Sequence, residues 1–529
     1  MTTLDPAPTA PPMHAAEDIP RWMAGCEQRP PHAKIVATIG PATSTEEALA
    51  HCIASGVSVF RLNFSHGSLD EHGERLAMIR KVAAASGRQV AVLGDLQGPK
   101  IRIGIVPDLY DGGGIMVEAG TDIIFRADAT EAHLEDGLPV FPTGFDRIYH
   151  DVEPGQRVLI NDGAIRTLAT ERIDGVSLRC RVTVGGRVTT KKGINLPDSD
   201  LKVPAITDQD WACAEWAAKH EVDYVALSFV RTADEIIALK ARLDEWSTIK
   251  AEDGGSIPVV AKIEKPQALT NLASIVRATD AVMVARGDLG VEMDTAQVPA
   301  AQKVIIETCQ SHGKPVIVAT QMLESMIEAH APTRAEASDV ANAVFDGADA
   351  VMLSGETAVG KHPALVVETM RRIIRTAEAW YDTQPHEPNP PSDLPELPHR
   401  SAALAHGCWH IAKEAKARLV VVWSQRGGMA GYLSQNDFRV PILACTTSER
   451  SARRMTLFGG VTPWRLDPPG EGTLADWTDE VEAYVQAQGL AEEGDAVLLV
   501  AGKPLGQVDA QDTVAILRVG DPNSGFRPR

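Results

Sequence analysis

The chain has 529 residues, about three or four domains at roughly 150 residues each, and its 44% apolar content supplies a sizeable core for each, which excludes disorder for the bulk. Lys and Arg total 51 against 71 Asp and Glu, a net charge of −20 with no concentrated basic stretch, which argues against nucleic acid and anionic membranes as partners. No apolar run approaches the roughly 18 residues of a membrane span, and the opening MTTLDPAPTAPPMHAAEDIP carries neither a basic n-region nor an apolar h-region, so a cytoplasmic location is expected.

In chain order, residues 1–30 are rich in Pro and Ala without periodicity and predict a flexible tail. From Lys34, strand-length apolar runs alternate with amphipathic stretches: KIVATIG from 34, VSVFRLNF from 57, QVAVLGDL from 89, DYVALSFV from 223, PVVAKIE from 258, AVMVARG from 281, PVIVATQ from 315 and AVMLSG from 350. Helical patterns such as TEEALAHCIAS, TADEIIALKARLDEW and TRAEASDVANAVFDG lie between them, several opening on a capping residue. Nearly continuous Val, Ile and Ala implies strands covered on both faces, and the repeated alternation predicts a (β/α)8 TIM barrel over 31–100 and 201–380. Residues 101–200 change texture, with GQRVLIND, SLRCRVTVGG and the turn DGGG at 111–114, and predict a small β domain inserted after the third barrel strand. A Pro-rich linker over 381–399 leads to a C-terminal α/β domain, 400–529, where RLVVVWS, PILACTT, DAVLLVAG and TVAILRVG suggest an open sheet. Seven cysteines, at 26, 52, 180, 213, 309, 408 and 445, form no C-x-x-C pair, so reduced thiols are expected, with neither disulfides nor a zinc site.

In such a barrel the chemistry belongs at the carboxyl ends of the strands. Polar residues gather there: Arg61, Asn63, Ser65 and His66 after the second run, Asp95 after the third, Lys262 and Glu264 in the fifth, Arg286 and Asp288 after the sixth, Thr320 after the seventh, Ser354 and Glu356 after the eighth. Pairs two apart share a strand face, so Arg61 with Asn63, Lys262 with Glu264, and Arg286 with Asp288 are expected to converge near the mouth. Glu264 and Asp288 are hard oxygen donors suited to Mg²⁺, and structural salt bridges to Lys262 and Arg286 are the alternative. His66 alone reads equally as a cap or a packed ring. Gly355 to Lys361, GETAVGK, matches G-x-x-x-x-G-K, but His362 stands where a P-loop needs Ser or Thr, so Ser354 and Glu356 are expected to face a barrel pocket instead.

The stretches KIVATIGPAT, RLNFSHG, GPKIR, KKGINLP, KIEKPQAL, ARGDLGVE, ATQMLESM and LSGETAVGKHP, in this order and at these strand ends, make the chain resemble the pyruvate kinase family from about residue 33 to 380, and more weakly beyond. The resemblance implies a catalytic barrel, a β-barrel lid, a C-terminal regulatory domain and a homotetramer. It implies a glycolytic, Mg²⁺-dependent phosphotransferase that moves the phosphoryl group of phosphoenolpyruvate to ADP, yielding pyruvate and ATP. By the same resemblance Glu264 and Asp288 ligate Mg²⁺, while Lys262 and Arg61 hold the phosphoryl group and Gly287, Asp288, Thr320 and Ser354 line the substrate site. Arg102 and Lys192 on the lid, with Asn63 and His66, reach the nucleotide. Thr320 belongs to a relay that protonates the enolate, because a hydroxyl is too weak an acid to be the ultimate donor.

Two departures from the family matter. Many members carry GPEIR beside a K⁺ site that Asn63, Ser65, Asp95 and the Leu96 carbonyl would form here; this chain has Lys100, and activity without added K⁺ is expected, the alternative being a Lys100 that points into solvent. The segment Ser424 to Met429 keeps glycines and one Arg but few hydroxyls, against control by fructose 1,6-bisphosphate. Two other readings compete: a lyase or aldolase acting on Mg²⁺-bound oxo acids, and a non-catalytic binder. The lid residues Arg102 and KKGINLP speak against the first, and the complete set Arg61, Lys262, Glu264, Asp288 and Thr320 against the second.

Overall fold

The structure is a computed structural model describing residues 30–107, 113–145, 147–199, 203–247, 255–384, 390–393, 400–436, 438, 440–507 and 511–528. The expected flexible tail, save residue 30, lies outside the described residues, as do Cys26 and much of the expected linker.

All eight apolar runs form strands: β1 (Lys34–Thr38), β2 (Val57–Asn63), β3 (Ala91–Asp95), β4 (Tyr224–Leu227), β5 (Val259–Ile263), β6 (Ala281–Ala285), β7 (Val316–Ala319) and β8 (Ala350–Leu353). They close into one parallel barrel, β8 pairing with β1. Most are buried along their whole length because helices cover the outside and side chains fill the inside, which is why the runs lack period-two alternation. The three helical patterns become Glu46–Ser55, Ala233–Trp246 and Arg334–Phe345; Thr45 and Thr333 cap two of them by accepting from the amide three residues on.

The barrel interior is packed by Val36, Val59, Leu93, Val260, Met283, Ile317 and Met352, and also by Leu457 of the C-terminal domain. That domain therefore seals the amino-terminal base, leaving the opposite mouth open. The seal is polar at its margin: Tyr224 donates to the Arg454 carbonyl at 2.6 Å, and Lys34 to the Val461 carbonyl at 2.8 Å.

After β3 the chain leaves the barrel to build an eight-stranded sheet between Ile101 and Asn195. Bridges from Ile103 to Thr143 and from Ile105 to Glu131 join its two edges, curling it toward closure around Phe125, Phe141 and Ile160. Its first and last strands, Ile101–Arg102 and Gly193–Asn195, pair with each other, so both connections to the barrel leave side by side.

The C-terminal sheet runs β9 (Leu419–Trp423), β10 (Ile442–Thr446), β11 (Val461–Arg465), β12 (Ala496–Lys503) and β13 (Gln511–Arg518), in the order β11-β10-β9-β12-β13, with only β13 antiparallel. Four of these match the sequence expectation. β11, VTPWR, was not anticipated: Pro463 and the charged end hide it, and Pro is tolerated because β11 is an edge strand. The six cysteines among the described residues are buried and unpaired.

GETAVGK forms no phosphate loop. Gly355–Ala358 is a single helical turn, and Gly40 is required beneath it because a Cβ there would collide with the Ala358 carbonyl.

Candidate active site

The mouth assembles from the ends of β2, β3, β4 and β5. Asn63 and Asp95 lie opposite each other across β2 and β3. Arg61 donates through Nε to Asp95 at 2.6 Å and through a terminal nitrogen to Thr38 Oγ1 at 3.1 Å. The other Asp95 oxygen lies 3.3 Å from the Lys262 ammonium, an ionic contact without hydrogen-bond geometry. Lys262 also meets Glu264 at 2.8 Å and donates to Ser228 Oγ at 2.6 Å. Burial by itself would discharge Lys262, but Asp95 and Glu264 outweigh it and hold the ammonium above its usual range. Asp95 is the reciprocal case: burial opposes its charge, yet Lys262 and Arg61 hold it below the ordinary carboxylate range.

Glu264 follows β5 directly, is buried, and accepts the Phe229 amide at 2.8 Å. Burial, reinforced by nearby Asp288, pushes its carboxyl up to about 7 against the opposing pull of Lys262. The half-buried Asp288 carboxylate makes no hydrogen bond or ion pair among the described residues. Two hard donors, one unspent and one whose burial calls for a cation, fit a divalent ion that keeps other positions for water and substrate oxygens. No cluster of three or more His, Cys, Asp or Glu suited to a metal occurs among the described residues, so substrate oxygens would have to complete the set.

The expected pairing of Arg286 with Asp288 is corrected. β6 stops at Ala285 and a helix, Arg286–Glu292, begins at once, so residues two apart no longer share a face. Arg286 turns instead to Asp339 at 2.7 Å and to the Thr320 carbonyl at 2.7 Å, tying the β6 and β7 loops together. Glu356 is corrected too. It is buried and accepts the amides of Leu323 at 3.1 Å and Ser354 at 2.7 Å, so it fixes the loops and does not face a pocket.

Thr320 Oγ1 accepts the Gly287 amide at 2.7 Å, bringing two expected substrate residues together. Thr320 has φ +71°, Gln321 φ +54° and Phe229 φ +55°; such left-handed non-glycine residues cost about 1–3 kcal/mol each and are held by their surroundings. Asn63 Oδ1 accepts the Ser65 amide at 3.1 Å, His66 is exposed, and the Leu96 carbonyl accepts from Ser228 at 2.7 Å. On the inserted domain Arg102 reaches the Lys191 carbonyl at 3.1 Å, and the neighbouring Lys192 ammonium has no partner among the described residues. Lys100 is not free in solvent: it meets Asp162 of the inserted domain at 3.4 Å.

Sequence reasoning missed Ser228 and Phe229, which hold Lys262 and Glu264. Their signal was available, since Ser228 is the polar residue ending the fourth apolar run.

Residues 30–367 match the family model "Pyruvate kinase, barrel domain", and residues 402–517 match "Pyruvate kinase, alpha/beta domain". A pyruvate kinase of Corynebacterium glutamicum is 40% identical over 489 residues, covering 92% of this chain and 98% of that protein. One from Thermotoga maritima is 36% identical over 494 residues, covering 92% and 99%. The crystal structure of a pyruvate kinase from Cryptosporidium parvum is similar with a TM-score of 0.81 at 31% identity, covering 96% of this chain and 98% of that one. With both domains matched and a barrel mouth that gathers cations around carboxylates, the chain belongs to the pyruvate kinase family, which transfers the phosphoryl group of phosphoenolpyruvate to ADP in glycolysis.

Proposed function

We propose that Arg61, Lys262, Glu264, Asp288 and Thr320 carry this reaction here. Its demand is electrostatic: two polyanions must meet, and one unit-charge repulsion at about 4 Å is worth about 4 kcal/mol even at an effective dielectric near 20. Lys262 and Arg61 hold the migrating phosphoryl group, Lys262 facing the enolate oxygen as it forms. Glu264 and Asp288 hold Mg²⁺, which when bound supplies a Lewis acid for the substrate's carboxylate and phosphate oxygens. Gly287 and Ser354 line the substrate, and Thr320 orients the water that protonates the enolate. Arg102 and Lys192 meet the nucleotide phosphates with Asn63 and His66 beside them, and closure of the inserted domain excludes water.

The observation that carries this reading is the Lys262 ammonium, buried yet kept charged by Asp95 and Glu264 at the barrel mouth. Lys262→Met tests it in a coupled assay with phosphoenolpyruvate, ADP and Mg²⁺: kcat falls about 1,000-fold, and normal turnover overturns the assignment.

Activity without added K⁺ belongs to the same reading. Asp95, the charged residue of the monovalent site, already faces two cations. Lys100 pairs instead with Asp162 at 3.4 Å, a long, partly exposed contact weak enough to exchange, and on turning toward that site it would bring a third positive group. In tetramethylammonium buffer the enzyme turns over, and Lys100→Glu creates K⁺ dependence; a near-zero rate rescued by K⁺ refutes this. A homotetramer in the cytoplasm accords with the family, and no helix among the described residues is long and apolar enough to cross a membrane.

A further inference from the structure

At the root of the inserted domain, three polar residues from three segments, two of them buried and Lys265 partly so, converge in a cleft lined by Lys100, Ile194, Asn195, Phe229, Lys265 and Glu292. Asn195 ends the last strand of the inserted domain, Lys265 follows β5, and Glu292 ends the short helix that begins at Arg286. One oxygen of Glu292 accepts from Asn195 Nδ2 at 3.0 Å and meets the Lys265 ammonium at 2.7 Å. Asn195 is 5% exposed and Glu292 2%. The other Glu292 oxygen and Asn195 Oδ1 are buried without a partner.

As a stabilising device this is poor. A buried ion pair with unspent acceptors stabilises no more than apolar residues of the same volume would. Its placement is what distinguishes it. Lys265 is the residue after Glu264, and its ammonium lies 5.6 Å from the centre of the Phe229 ring, whose amide holds Glu264. Glu292 shares a helix of seven residues with Asp288. The single carboxylate thus joins the inserted domain to both segments that bear the expected metal ligands.

We propose that Asn195, Glu292 and Lys265 form a latch by which the position of the lid sets the placement of Glu264 and Asp288. All three are positioning residues: they touch neither substrate nor metal and act through the two carboxylates. With the latch made, the β5 and β6 loops hold their donors at a fixed separation; with it broken, each loop relaxes independently and a divalent ion is bound less tightly. This inference rests on the assignment of Glu264 and Asp288 as metal ligands, and the test separates the two.

The probe is Mn²⁺ alone, titrated into the full-length enzyme and followed by its electron paramagnetic resonance signal, with no substrate present. Glu264→Gln abolishes tight binding if the ligand assignment holds; retained binding refutes that assignment. Asn195→Ala, a change on the lid, weakens Mn²⁺ binding about 10-fold, the scale seen when groups behind a metal ligand are removed. In steady-state assays the same variant raises the Mg²⁺ half-activation concentration and, at limiting Mg²⁺, the KM for phosphoenolpyruvate, whose oxygens share that ion. Glu292→Gln, which fills the same volume, gives the same shift if Asn195→Ala folds poorly. The double variant weakens binding no further than Glu292→Gln alone. If Glu264→Gln abolishes binding while Asn195→Ala and Glu292→Gln leave Mn²⁺ affinity unchanged, the latch is refuted and the metal site stands.

Discussion

The two ends of the barrel use the same residue types to opposite purposes. At the base, Asp223, Asp280 and Asp349 each precede an even-numbered strand and accept the amide of the neighbouring odd one: Val92 at 2.8 Å, Val259 at 2.8 Å and Val316 at 2.9 Å. Each aspartate amide donates back to that same residue's carbonyl at 3.0 Å, so a reciprocal pair closes the β3–β4, β5–β6 and β7–β8 gaps. The spare oxygens reach outward: Asp223 to Arg453 at 2.9 Å, Asp349 to Gln435 at 2.8 Å, both in the C-terminal domain, and Asp280 to Lys240 at 2.8 Å. At the mouth, by contrast, Asp288 is unspent, Asp95 keeps an oxygen without a hydrogen bond, and left-handed Phe229 and Thr320 hold strained turns. The charge of these three aspartates is taken up by the fold, whereas carboxylate oxygens at the mouth are left without a hydrogen bond.

This contrast can be broken in order of effect. Lys262→Met at the mouth removes about three orders of magnitude from kcat but shifts the melting temperature little, because Arg61 still neutralises Asp95 and burial favours a neutral Glu264. Asp223→Ala at the base does the reverse. It takes from Arg80 and Arg453 their shared buried carboxylate and from the Val92 amide its acceptor, costs about 3–5 kcal/mol by urea unfolding, and leaves kcat per folded molecule unchanged. A loss of kcat at constant stability would refute the division.

Asp349 sharpens it through pH. Asp223 is held below the ordinary carboxylate range because Arg80 and Arg453 overcome its burial, so its contribution is present above its unfolded pKa and is lost as pH falls through the depressed folded value. Asp349 has the same place in the fold but accepts from neutral donors, Val316, Gln435 and Gly459, while nearby Lys34 gives its ammonium to the Val461 carbonyl. Burial pushes it up to about 6 from 3.8. Between those values the native state keeps a proton that the unfolded chain has released, so stability declines as pH rises through the window, by on the order of 2–3 kcal/mol. Asp349→Asn, which needs no proton, flattens that slope in urea titrations from pH 4 to 7; an unchanged slope assigns it elsewhere. Buried Glu378, pushed up to about 7, contributes a similar decline that remains in the variant.

The smallest effect is expected at Asp280. Its side chain is 36% exposed, water screens its pairing with Lys240, and Asn retains an acceptor for Val259. Asp280→Asn costs at most about 1 kcal/mol in the same unfolding assay, and a loss near that of Asp223→Ala would show that burial is not what separates the three aspartates.

Much of this was legible in one dimension. Eight apolar runs of strand length fix a barrel because each must be covered on both faces, and period two places Arg61 with Asn63 and Lys262 with Glu264 wherever the strand continues. The inserted domain was visible as a change of texture, and the family as ordered motifs at strand ends. What the runs concealed was where each strand stops. Arg286 and Asp288 part because β6 yields to a helix at that very residue, and Glu356 turns inward because the Leu323 amide lies within reach only once β7 and β8 are neighbours. The aspartates of VDYVAL, TDAVMV and ADAVML were equally plain in the sequence, yet their partners are 131, 21 and 33 residues away. Periodicity is a local property of the chain, set by backbone geometry. Which carboxylate is neutralised, which stays free, and how the inserted domain meets the loops that carry Glu264 and Asp288 depend on contacts between distant segments, and those exist only after the barrel has closed.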